Sequence, residues 1–87
     1  MRIYHFLASC MSELSEIDKY VIEKVKEART NAGMSQKNLS LAIGLSEGFV
    51  GNIENPNRKE KYNIRHLNLI AKVLKCSPKE FMPDNPL

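Results

Sequence analysis

The side chains best suited to chemistry in this chain are basic. Arg58, Lys59, Lys61, Arg65, Lys72 and Lys75 cluster between positions 58 and 75, against the single acid Glu60, while the whole chain carries a net charge of only +3. Such a local surplus suits an anionic partner, of which nucleic acid is the commonest. An ordinary solvated helix face would carry the same lysines, and charge alone leaves both readings standing. Groups for covalent or metal chemistry are absent. His5 and His66 have no partner at a catalytic spacing. Cys10 and Cys76 form no CxxC pair and cannot supply a zinc site even with both histidines. No metal, no cofactor and no enzyme activity are expected, because no nucleophile–base pair or carboxylate dyad is present.

The elements that must position these groups fit one small domain. The chain has 87 residues, 43% hydrophobic and 26% charged, a globular composition. A chain of this length buries roughly 60–65% of its unfolded surface, so its core is modest and a large enzyme pocket is not expected. No run of apolar residues is long enough to span a membrane. The unpaired thiols fit a reducing cytosol, which places the expected location in the cytoplasm.

Residues 1–11 read as an N-terminal extension, flexible or upstream of a start at Met11. Leu7-Ala8-Ser9-Cys10 matches the pattern before a lipid-modified cysteine. The apolar stretch from Ile3 to Ala8 is short and interrupted by His5, which argues against export. The domain proper is expected over 12–83, with a short tail over 84–87.

Within it the apolar periodicity is helical. Leu14, Ile17, Val21, Val25, Ala28 and Ala32 make one stripe, which Gly33 ends. Ser35 caps a second helix over 36–43, with Leu39 and Ile43 inward, Leu41 and Ala42 toward the outside, and Gly44 as its stop. Ser46 caps a third over 47–54, which Pro56 closes. Residues 57–63 form a basic loop. A fourth helix follows over 64–74, with Ile64, Leu67, Ile70, Ala71 and Leu74 inward. Ser77-Pro78-Lys79-Glu80 reads as a capping box that opens a short fifth helix. Cys76 is expected to fill space between the last two helices. The fold class is all-α.

Two short helices around a glycine turn are the signature of a helix-turn-helix. Leu39, Val50 and Ile53 would pack its helices together, Ser40 is small where they approach closely, and Gly44 supplies the turn conformation. Three motifs fall in register: Arg29-x-x-x-Gly33-Met34-Ser35-Gln36-x-x-Leu39, then Gly44-Leu45-Ser46-x-x-Phe49-Val50-x-x-Ile53-Glu54-Asn55, then Leu67-x-x-Ile70-Ala71-Lys72-x-Leu74. On these residues the stretch 22–83 resembles the XRE-type helix-turn-helix family, the phage-repressor and Cro-like DNA-binding domains. The resemblance implies a five-helix lambda-repressor-like bundle. It also implies a homodimer bound to a two-fold symmetric operator, with the third helix in the major groove of double-stranded DNA.

Site roles follow from the same resemblance. Glu47, Gly48 and Asn52 are implied for base readout, and an asparagine amide can pair bidentately with adenine. Gln36 and Ser46 are implied at the DNA backbone, and a helix start favours anions in any family. The loop residues Arg58, Lys59, Lys61 and Tyr62 are implied as phosphate contacts that set affinity and not sequence choice. Arg29 and Glu54 match a structural ion pair. Three departures stand out. Glu47 brings a negative charge to the DNA face. Gly48 and Gly51 each lower helix propensity by about 1 kcal/mol relative to alanine. Pro56 replaces the family's usual glycine. The implied function is a sequence-specific transcriptional regulator: a small repressor, a phage-type regulator, or an antitoxin controlled by a toxin partner. The alternative is a protein-interaction module that keeps the fold without binding DNA.

Overall fold

The computed structural model describes residues 14–87, which are helical with no strand among them. The expectations for residues 1–11, for a helix start at Ser12, and for His5 and Cys10 lie outside the described residues. Four α-helices run in order: α1 (Glu16–Asn31), α2 (Gln36–Ala42), α3 (Phe49–Glu54) and α4 (Ile64–Leu74), followed by a 3-10 segment, Pro78–Phe81. None of these helices is long and apolar enough to cross a membrane.

Local chemistry sets the boundaries. Ser15 and Asp18 form a reciprocal capping box at the start of α1, the side chain of each accepting from the other's backbone amide. At its end Gly33 has φ +72°, and the amides of Gly33 and Met34 close back on Thr30 and Arg29 at 3.0 and 3.1 Å. Gly44 repeats the device after α2 with φ +81°, its own amide bonding Leu41 and that of Leu45 bonding Ser40, both at 3.0 Å. A Cβ would meet nothing at either glycine, so the demand is conformational and not steric. Asn63 and His66 form a second capping box at the start of α4.

The expected fifth α-helix is a 3-10 turn instead. Its closures run from Glu80 N–H to the Ser77 carbonyl and from Met82 N–H to that of Lys79, a three-residue step. Pro78 and Pro83 bracket a stretch too short for a four-residue ladder. Ser77 accepts from the Lys79 amide at 3.3 Å, so the capping box with Glu80 does not form.

The core lies between the helices. Val21 and Val25 of α1 meet Leu39 of α2, Val50 and Ile53 of α3, and Ile70 and Ala71 of α4, with Phe81 closing one end. Cys76 packs against this cluster, and burial pushes its thiol pKa up, with Glu80 adding to the shift. Three assigned core positions are not core: Ile17, in the first turn of α1, is 37% exposed, and the other two also lie at helix ends. Ala32 lies beyond the last turn of α1 and is exposed. Ile64, the first residue of α4, is 84% exposed, because the stripe reaches the core only from Leu67 onward.

Candidate nucleic-acid interface

The helix-turn-helix is formed by α2, the turn at Gly44 and α3. Ser40 of α2, which is fully buried, bonds across to α3. The Ser40 hydroxyl donates to the Gln36 carbonyl at 2.8 Å and accepts from the Val50 amide at 2.9 Å. Val50 sits in the first turn of α3, where amides have no partner within their own helix. The residue at the cap position, Gly48, has no side chain to offer. Ser40 therefore caps α3 from the neighbouring helix, a role that alanine could not fill.

This arrangement corrects the third helix. It begins at Phe49, two residues later than the spacing predicts, and Ser46 does not cap it. Instead the Phe49 amide bonds the Ser46 carbonyl at 3.0 Å, and residues 46–49 make a turn that leads into the helix. Glu47 and Gly48 belong to that turn. Ser46, Glu47, Gly48 and Asn52 are all exposed, while Val50 and Ile53 point inward. Gly48 and Asn52, four residues apart, share one outward face.

A polar brace fixes the other end of α3. Arg29 Nε and Nη2 bond the two carboxylate oxygens of Glu54 at 3.0 and 2.8 Å, and Arg29 Nη1 bonds the Met34 carbonyl at 2.8 Å. The side chains of the pair are 8% and 2% exposed. Both are hydrogen-bonded as well as paired, which a buried ion pair requires. Gln36 joins the brace, its Nε2 donating to Glu54 Oε1 at 2.8 Å. Its side chain crosses the bare backbone of Gly51, where a Cβ would come within 3.1 Å of Gln36 Oε1. The Gln36 amide is therefore engaged with protein rather than held out for a phosphate.

The loop residues divide. Arg58 is locked to Glu60 by two bonds of 3.0 and 2.7 Å, which raise the guanidinium pKa and lower that of the carboxyl. Lys61 reaches Asp18 on α1 at 3.7 Å. Lys59 is exposed and makes no ion pair among the described residues. Tyr62 corrects the phosphate assignment outright. It is 8% exposed, and its buried hydroxyl has no hydrogen-bond partner among the described residues. Burial, reinforced by Glu54, pushes its pKa far up, so the hydroxyl stays protonated. Tyr62 packs with Phe49 and His66, the latter two edge to face at 4.7 Å. This aromatic cluster ties the start of α3 to α4.

Sequence reasoning missed the bonding role of Ser40. The available signal was a hydroxyl at a position where the family usually has alanine. It also missed the Asn63–His66 box, because histidine is not the glutamate or glutamine that marks such boxes.

The two-helix unit, its buried brace and its outward polar face define a helix-turn-helix DNA-binding domain. The profile of the Cro/C1-type HTH DNA-binding domain matches residues 24–86, and the chain belongs to that family. It is a DNA-binding transcription regulator of the XRE type. No curated protein matches the chain. Among solved structures it is similar to the restriction-modification controller protein C.AhdI from Aeromonas hydrophila. The two are 25% identical with a TM-score of 0.64, and the match covers 77% of this chain and 93% of that one.

Proposed function

We propose that this regulator reads a two-fold symmetric operator as a homodimer, with α3 in the major groove. The observation that carries the reading is the division of α3 into two faces. Val50 and Ile53 hold it to the core, while Asn52 and the preceding Glu47 and Gly48 are presented outward. Asn52 is assigned to adenine and Glu47 to the cytosine amino group, both base edges that a major groove displays. Ser46 and Lys59 are assigned to phosphates. Lys61 joins them by exchanging Asp18 for the backbone. Arg58 contributes less, because its charge is already matched by Glu60. A small repressor, a phage-type regulator and a toxin-controlled antitoxin all fit this chemistry, and the likeness to a restriction-modification controller supports a small regulator of this size. Selection of bound duplexes from a random pool tests the proposal. A two-fold symmetric consensus is expected. Recovery of no common sequence would overturn it and favour a protein-interaction module.

A further inference from the structure

Two residues meet across the helix-turn-helix without either presenting a group to a base. Gln36, the first residue of α2, reaches over α3 and donates from Nε2 to Glu54 Oε1 at 2.8 Å. Gly51, within α3, lies beneath that side chain. A Cβ there would stand 3.1 Å from Gln36 Oε1 and 3.7 Å from its Cδ. At Gly33, Gly44 and Gly48 a Cβ would meet nothing within 4 Å. Of the four glycines, only Gly51 leaves a space that another side chain fills.

We infer that Gln36 is a positioning residue for base readout, which with Gly51 sets how α3 lies against α2 and so where Asn52 is aimed. The assignment rests on the reading of α3 as the base-reading helix. Three observations carry it. First, α3 has six residues, too few to hold a direction by its own hydrogen bonds, so its pose depends on what it is tied to. Ser40 of α2 holds its first turn through the Val50 amide at 2.9 Å. Gln36 adds a second bond from α2, to the last residue of α3. Two points fix a direction where one does not, and Asn52 lies between them. Second, Glu54 Oε1 accepts both Gln36 Nε2 and Arg29 Nη2, each at 2.8 Å. One buried oxygen therefore registers α1, α2 and α3 on each other. Third, the Gln36 carboxamide is a spacer as well as a tether. It fills the space over Gly51, and without it the bare backbone of α3 would settle toward α2, carrying Asn52, the next residue, with it.

The test compares Kd for the duplex selected from a random pool with Kd for random DNA. It uses the full chain as wild type, Gln36→Ala, Gly51→Ala and the double variant, with circular dichroism to check each fold. Gln36 is exposed and accepts the Ser40 hydroxyl with its main-chain carbonyl, so Gln36→Ala should fold as wild type does. The readout is the ratio of the two constants. Loss of folded protein, or of a phosphate contact, weakens binding to both DNAs alike and leaves the ratio unchanged. Gln36→Ala is expected to lower sequence preference about tenfold, as the loss of one well-aligned base contact would. Gly51→Ala should lower it too, by displacing the carboxamide, although alanine favours the helix. The double variant should lose no more than Gln36→Ala alone, because the added methyl then has nothing to displace. An unchanged ratio in Gln36→Ala overturns the assignment, even where binding to both DNAs weakens, for that is the behaviour of a phosphate contact. An equal loss from Gly51→Ala with and without Gln36 also overturns it, since the methyl would then be acting on the DNA itself. Wild type that prefers no duplex overturns this assignment and the base-reading proposal together, whereas failure of the assignment alone leaves the wild-type preference intact.

Discussion

The Ser40 hydroxyl accepts the Val50 amide at 2.9 Å across the helix-turn-helix, and so joins α2 to the first turn of α3. The glycine at the cap position of α3 leaves that amide nothing closer at hand. A helix of six residues with an interior glycine has little stability of its own, and most of its definition comes from contacts such as this one. Ser40→Ala should therefore destabilise the domain, although alanine is usual at this position in the family. Loss of a buried partner predicts a cost of about 1–3 kcal/mol. At about 4–8 °C per kcal/mol for a domain of this size, the drop is easily measured by thermal unfolding. An unchanged Tm would show that Val50 finds another partner.

Arg29 and Glu54 should be coupled strongly. Arg29→Ala leaves a buried carboxylate with only Gln36 to face it, and a cost of about 3–5 kcal/mol is expected. Removing both charges should cost less than the sum of the single changes. A double-mutant cycle measured by denaturant unfolding checks this, and additivity of the two substitutions would refute the pairing.

Tyr62→Phe should be neutral or stabilising. It removes a buried hydroxyl that has no partner among the described residues and keeps the ring that packs on Phe49 and His66. DNA affinity should not change. A loss of affinity with an intact fold would restore the phosphate contact that the structure denies.

Stability should depend on the protonation of His66. Its Nδ1 accepts the Asn63 amide at 3.0 Å, which requires that nitrogen to be unprotonated. Burial, with Arg65 adding to it, lowers the folded pKa below the ordinary value of 6.5. The unfolded chain thus binds the proton more readily. The contribution is fully present above pH 6.5 and is lost as the pH falls through the folded pKa. Glutamine can make the same cap without titrating, so His66→Gln should flatten the Tm profile between about pH 7 and 5. Parallel profiles for the two proteins would remove His66 from the account.

Much of this architecture was legible because glycine and apolar spacing leave few choices. Gly33 and Gly44 marked both helix ends, and Val25, Leu39, Val50, Ile53 and Ile70 announced the core by periodicity. What the sequence concealed was polar geometry. Nothing in the spacing of Ser40 and Val50 shows that a hydroxyl on one helix caps another. Gln36, Arg58 and Lys61 carry the types expected of phosphate contacts, but types do not reveal that each already faces an acid within the fold. Tyr62 was misjudged because its neighbours in sequence are polar while its neighbours in space are aromatic. Ile64 was misjudged because a helical stripe does not show where the core ends.

The central claim is that α3 reads bases while the loop after it sets affinity. Titration of labelled duplexes at several salt concentrations tests it most directly, comparing the selected sequence with random DNA. Asn52→Ala should cost about 1–3 kcal/mol on the selected sequence and little on random DNA. Lys59→Ala should weaken both about equally and flatten the log–log salt slope by roughly one unit, as one fewer counterion is released. Glu47→Ala should erode sequence preference if the carboxylate reads cytosine, and raise affinity for all DNA if it only repels phosphate. Wild-type protein that shows no salt-dependent binding to any duplex would contradict the account.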